Sequence, residues 1–184
     1  GDVYKRQPVV GANGQRQAMF LENTPGLAKR ILRNFTISPD DCAMVVSSSG
    51  ANIVPIEMAM AFRELGVWTV GIVTRQHAAG SSSKHPSGQS LVDVADLVLD
   101  TGAPLGDAMV EIPDLETPVS PGSTVGGCVL VNAIKAEVAL RLTQMGKPPK
   151  VLTAAAIVGS EESTALFESA YDEHAVRLSR LYAG

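Results

Sequence analysis

The stretch Cys42-Ala-Met-Val-Val-Ser47, running on through Ser48-Ser-Gly-Ala-Asn52 into Ile53-Val-Pro-Ile-Glu-Met-Ala59, decides how this chain folds. Its first part is an apolar run of strand length. The turn residues Ser38-Pro39-Asp40-Asp41 precede it and small hydroxyl residues follow, which reads as a buried parallel strand. The last part switches to helical spacing, continuing from Ile53 to Leu65. Pro55 falls in the first turn of that helix, where a missing N–H costs little, and Gly66 ends it. The sequence between them is a tight, small-residue loop joining a strand to a helix.

The same alternation extends in both directions. Downstream, Val67–Thr74 is a second β-branched strand, and a polar segment from Arg75 to Ser90 is too long for a simple connector. A short helix over Leu91–Ala95 and a third strand over Leu97–Asp100 follow. Residues 101–122 are rich in Gly and Pro, with room for a short strand at Met109–Ile112. Thr124–Met145 predicts a long helix stopped by Gly146 and Pro148-Pro149. Val151–Ala155 is a last candidate strand, and Glu161–Tyr182 a final helix with Ser160 as its N-cap. Upstream, Leu27–Arg33 suits a short amphipathic helix, and residues 8–26 read as loop with one helical turn. Strands alternating with helices predict a doubly wound parallel sheet of the α/β class, in one domain over residues 8–184. Gly1-Asp-Val-Tyr-Lys-Arg-Gln7 fits nothing downstream and is read as a non-native leader.

Composition limits the possible partners. At 184 residues the chain is long enough to bury roughly 70% of its unfolded surface. Only 4% of residues are aromatic, so the core must be aliphatic, with the methionines filling it. The net charge of -4, with Lys and Arg scattered, argues against nucleic acid as a partner. No apolar run approaches the ~20 residues of a membrane helix, so no membrane partner is expected either. Cys42 and Cys128 belong to no paired or metal-ligand pattern and read as buried, reduced thiols of a cytoplasmic protein. No metal or cofactor is expected.

In a doubly wound sheet, ligands bind outside the carboxyl ends of the strands, where Ser47–Asn52 would lie. A helix start there offers unpaired N–H groups and partial positive charge, which suits an anion. Serine hydroxyls and an Asn amide add donors, and Gly50 lets the backbone come close. Neither GxxxxGK[ST] nor GxGxxG occurs, which leaves nucleotides without a supporting loop. The residues alone also allow a plainer reading, in which the serines only form a turn and cap the helix.

Ser47-Ser-Ser-Gly-Ala-Asn52 before Ile53-Val-Pro-Ile-Glu57 resembles the phosphosugar loop of the SIS (sugar isomerase) domain, in a branch related to phosphoheptose isomerases. Further marks of that branch recur in order: Lys84-His-Pro-Ser-Gly88, Asp100 with Gly102-Ala-Pro-Leu-Gly-Asp107, Ser123-Thr124-Val125, and Val131-Asn132 through Glu137. Together they cover roughly residues 22–158. The resemblance implies a three-layer α/β/α sandwich (a flavodoxin-like SIS fold) around five parallel strands, assembled as a homodimer or homotetramer. It implies a phosphorylated sugar as partner, bound by Ser47, Ser48, Ser49 and Asn52, with Ser123 and Thr124 touching the sugar. It also implies that a first helix and strand of the SIS domain are lacking, and the tail Ala156–Ser160 departs from the branch pattern.

Catalysis is a separate question. Aldose–ketose isomerisation needs a base beside the carbonyl and a group that moves protons between oxygens. Glu57, just past the loop, and His85, in the long polar segment, are the candidate catalytic residues. A lone helical Glu is nevertheless more often solvated, and a loop His without a visible partner is more often structural or at the surface. Asp107 is placed either to cap a helix or to bind a sugar hydroxyl. His77 and His174 carry no motif and read as surface. Sugar-phosphate isomerases of the superfamily carry a His near the position of Asn132, and an Asn exchanges no protons. Two functions stay open: a sugar-phosphate isomerase, and a non-catalytic sugar-phosphate-sensing module.

Overall fold

The computed structural model describes residues 15–181, and there the alternation becomes a parallel sheet. Two short helices, α1 (Gln15–Leu21) and α2 (Leu27–Leu32), precede the first strand. Next come β1 (Cys42–Val46), α3 (Ile53–Glu64), β2 (Trp68–Val73), α4 (Arg75–Ala79), α5 (Leu91–Val94) and β3 (Leu97–Asp100). The strands lie in the order β1-β2-β3, all parallel, with Val45 opposite Gly71 and Ile72 opposite Leu99. The fold is thus mixed α/β with a parallel three-stranded sheet, consistent with the expected α/β/α class. The resemblance implies five parallel strands, and the described residues supply three. The leader expected at residues 1–7 lies outside the described residues.

Sequence pattern explains why β2 is central. Thr69, Val70, Gly71, Ile72 and Val73 are all buried, so this strand is covered on both faces, as its unbroken apolar run requires. β1 instead alternates: Ala43 and Val45 are buried while Cys42, Met44 and Val46 are exposed. Ile56 and Ala59 of α3, one turn apart, meet Val45, Val73, Leu91 and Val94 in the core cluster. The amide of Val67, entering β2, donates to the Phe62 carbonyl at 2.9 Å, which closes the end of α3 after Gly66 has turned at φ 75°. Asp96 fixes the start of β2 by accepting the Thr69 N–H at 2.8 Å, and Arg63 pairs with the same carboxylate at 3.6 Å.

The chain divides into two compact units. The first runs to Leu32 and resumes over Ser38–Gly126. It holds the sheet and a small antiparallel ribbon, β4 (Ala108–Val110) with β5 (Val119–Pro121), and the first turn of α6 (Gly122–Gln144). The second comprises Arg33–Ile37 and the chain from Gly127 on, with the rest of α6, α7 (Ala155–Val158) and α8 (Ser160–Leu181). Its α8 is tied to the preceding turn by Lys150, whose ammonium donates to the Ser169 hydroxyl at 2.7 Å and pairs with Glu173 at 3.2 Å. None of the described residues of this second unit is buried.

Several expectations are corrected. The strand expected at Val151–Ala155 does not form. The Thr153 carbonyl accepts from the Ser163 hydroxyl and the Ala154 carbonyl from the Ile157 amide, so this backbone is the entry to α7 rather than a ladder. Both cysteines are exposed, not buried: alternation puts Cys42 on the open face of β1 with Met44 and Val46. Met58 and Met60 pack against the core, but Met19, Met44, Met109 and Met145 are exposed. The polar segment after β2 opens with α4, and residues 15–21 make a helix longer than one turn. No helix among the described residues is long and apolar enough to cross a membrane.

Candidate functional site

The loop after β1 is fixed from three directions. Ser47 extends the β1–β2 ladder by donating its N–H to Ile72 at 3.0 Å, and the Ser48 carbonyl accepts from Thr74 at 2.9 Å. The Gly50 carbonyl accepts from Leu91 at the start of α5, at 2.8 Å, and the Ala51 carbonyl from Lys84 at 2.9 Å. Gly50 itself has φ 62°, and a Cβ there would stand 3.3 Å from the Leu91 Cβ. Only glycine meets both demands without strain.

These ties occupy the carbonyls of Ser48, Gly50 and Ala51 and leave several of the loop's donors open. Ser47 Oγ accepts the Gly50 N–H and Ser49 Oγ accepts the Ala51 N–H, each at 3.2 Å, so both hydroxyl protons point elsewhere. The Val54 amide is taken by the Glu22 carbonyl at 2.9 Å, and Pro55 has none to offer. The amides of Ser49, Asn52 and Ile53 have no acceptor among the described residues. Asn52 is the N-cap of α3, with φ -79° and ψ 149°, yet its side chain makes no capping bond. Its Oδ1 accepts instead from the Lys84 ammonium at 2.7 Å.

A line of hydroxyls crosses the strand ends. Ser48 Oγ donates to Thr74 Oγ1 at 3.3 Å, and Thr74 Oγ1 bonds Thr101 Oγ1 at 2.7 Å. Ser48 follows β1, Thr74 follows β2 and Thr101 follows β3, so one short chain links all three carboxyl ends. Beside it, Asp100 accepts the N–H groups of Gly102 and Arg75 on one oxygen, each at 3.0 Å. Those bonds, the Gly102 amide first, hold its carboxyl below the ordinary value. Asp93 is lowered likewise, by the Ser90 amide and then the Ser90 hydroxyl in a capping box at α5.

The remaining candidate residues are dispersed among separate tasks. His85, next to Lys84, accepts the Ser87 N–H at Nδ1 at 3.2 Å and lies 2.7 Å from the Ser87 hydroxyl. Accepting at Nδ1 makes it the Nε2–H tautomer when neutral, and Nε2 has no partner among the described residues. Glu57 is not at the loop's hydrogen bonds: both its oxygens share the Gly26 N–H at 2.9 Å, just ahead of α2. Ser123 is engaged by Asp107, which accepts its amide at 2.6 Å and its hydroxyl at 2.5 Å. Between its two earlier alternatives, Asp107 therefore caps α6, from a positive φ of 65°. Thr124 is exposed and its hydroxyl makes no bond among the described residues. His77, expected at the surface, is half-buried and accepts the Gly106 N–H at 3.2 Å, whereas His174 is exposed. Asn132 turns its amide onto the Cys128 carbonyl of its own helix at 2.8 Å.

Sequence reading passed over Lys84, Thr74 and Thr101 as site residues. Lys84 was visible only as the first residue of a motif, because 32 positions separate it from Asn52. The two threonines had a signal: each is the first polar residue after a strand, where a doubly wound sheet exposes its ligand edge.

Comparison with known proteins agrees with this architecture. The family model described as the SIS domain matches residues 5–74. A UPF0309 protein of Geobacillus kaustophilus is 32% identical over 167 residues, which are 91% of this chain and 66% of that protein. One from Streptomyces coelicolor is 34% identical over 153 residues, 83% of this chain and 61% of its own length. One from Listeria innocua is 30% identical over 167 residues, 91% and 68% respectively. The chain thus spans less than two thirds of the Geobacillus and Streptomyces relatives.

Proposed function

Since this chain belongs to the SIS-domain UPF0309 family, we propose that it binds a phosphorylated sugar, with the phosphate held by Ser47, Ser48, Ser49 and Asn52. One observation carries the reading. The loop presents N–H and O–H donors at the start of α3, while the carbonyls of Ser47, Ser48, Gly50 and Ala51 and the hydroxyl oxygens of Ser47 and Ser49 already accept hydrogen bonds from the protein. A donor-rich loop at the positive end of a helix favours an acceptor-rich anion, and a phosphate monoester is one. Ser123 and Thr124, at the first turn of α6, are assigned to the sugar.

Thermal melting with a panel of hexose, heptose and amino-sugar phosphates tests this. A ligand at about 100 times its Kd stabilises by about 2.7 kcal/mol, roughly 5–10 °C for a chain of this size. Ser49→Asp puts a carboxylate against the anion and should remove the shift. No stabilisation by any member of the panel sinks the proposal.

For chemistry, the engagement of Glu57 by Gly26 supports binding without proton transfer at that carboxylate. The free Nε2 of His85 favours the second reading, an isomerase using His85. Deuterium appearing from solvent at the sugar's second carbon, followed by NMR, would decide for the isomerase.

A further inference from the structure

Resting on the phosphosugar reading, we infer that Lys84 is the cation of this site and the residue that turns Asn52 into a donor. Four observations lead there. The Lys84 backbone is fastened to the loop by its N–H on the Ala51 carbonyl at 2.9 Å, so the side chain starts from a fixed point. Its ammonium reaches the Asn52 side chain at 2.7 Å although Lys84 is exposed and free to extend into solvent. Among the described residues no carboxylate lies within ion-pair distance of it, so its charge is not offset by an acid. Asn52, finally, sits at the N-cap position but forgoes the cap that an Asn usually makes there.

Bond accounting gives the consequence. An amide side chain has one accepting and one donating end. With Oδ1 occupied by the ammonium, Asn52 turns its two Nδ2 hydrogens toward whatever else enters. The ammonium spends one of its three hydrogens on Asn52 and keeps two. Serine hydroxyls and a helix start together carry about half a positive charge, too little to offset a phosphate dianion. Lys84 supplies a full one. A site so completed favours a dianionic phosphate monoester over a sugar carboxylate or a neutral sugar.

Calorimetric titration of the wild-type chain with inorganic phosphate, repeated for Lys84→Met and Lys84→Arg, tests the inference. A charge-assisted hydrogen bond lost at Lys84→Met should weaken binding about tenfold or more and flatten its dependence on ionic strength, while Lys84→Arg stays close to wild type. The Asn52 side-chain NH2 signals in the ligand-free protein should move in Lys84→Met, and other Asn side-chain signals should not. Circular dichroism matching wild type assures that the variants are folded. Lys84→Met binding phosphate as tightly as wild type, with the same salt dependence, overturns the inference and leaves the phosphosugar reading standing. A wild-type chain that takes up neither phosphate nor any sugar phosphate of the panel overturns both.

Discussion

At the scale of single residues, Asp100 and Gly50 show how the strand ends are kept in place. Asp100 is held ionised by two backbone N–H bonds, so its folded pKa lies below the ordinary 3.8. A depressed carboxyl contributes stability above its unfolded value and loses it as pH falls through the folded one. Asp100→Asn should therefore melt with a shallower loss of stability below about pH 4 than wild type, measured by thermal denaturation across pH 2–6. Gly50→Ala is expected to cost about 1–2 kcal/mol at neutral pH, because alanine is strained at φ 62° and its Cβ presses on Leu91. Chemical denaturation measures that loss. The same variant should also lose the sugar-phosphate melting shift, since the loop amides move with Gly50.

At the scale of elements, α3 joins the core and the loop. Ile56 is fully buried between β1, β2 and α5, and Ile56→Ala should destabilise by about 2–5 kcal/mol in urea denaturation. Asp107→Ala removes the cap of α6 and should cost about 0.5–2 kcal/mol, whereas Asp107→Asn keeps an acceptor and tolerates the positive φ. These elements also mark what a sequence discloses. The ends of β1, α3, β2 and β3 were legible within a residue or two, because each is a clean run bounded by turn or polar residues. The pairing of β4 with β5 was not, since strands of three residues carry too little pattern to read. Site residues divide the same way. The serine loop is contiguous and could be read. Lys84 on Asn52 and Glu57 on Gly26 join positions 32 and 31 apart, and only the folded chain brings them together.

At the scale of the molecule, the two units differ in kind. The first has a buried aliphatic core around Ile56, Ile72, Val73 and Leu91, and the second has no buried residue among those described. Hydrogen exchange should reflect this, with amides of β2 and α3 among the slowest and those of α8 opening well before global unfolding. Uniform protection across both units would contradict it. The hydroxyl line Ser48–Thr74–Thr101 belongs to the well-packed unit, and it has one more property. Its first bond runs one way, with Ser48 giving the proton to Thr74, whereas either hydroxyl can be the donor between Thr74 and Thr101. That second bond can reverse by O–H rotation alone while every heavy atom stays still, so a rigid edge of the sheet keeps one switchable hydrogen bond.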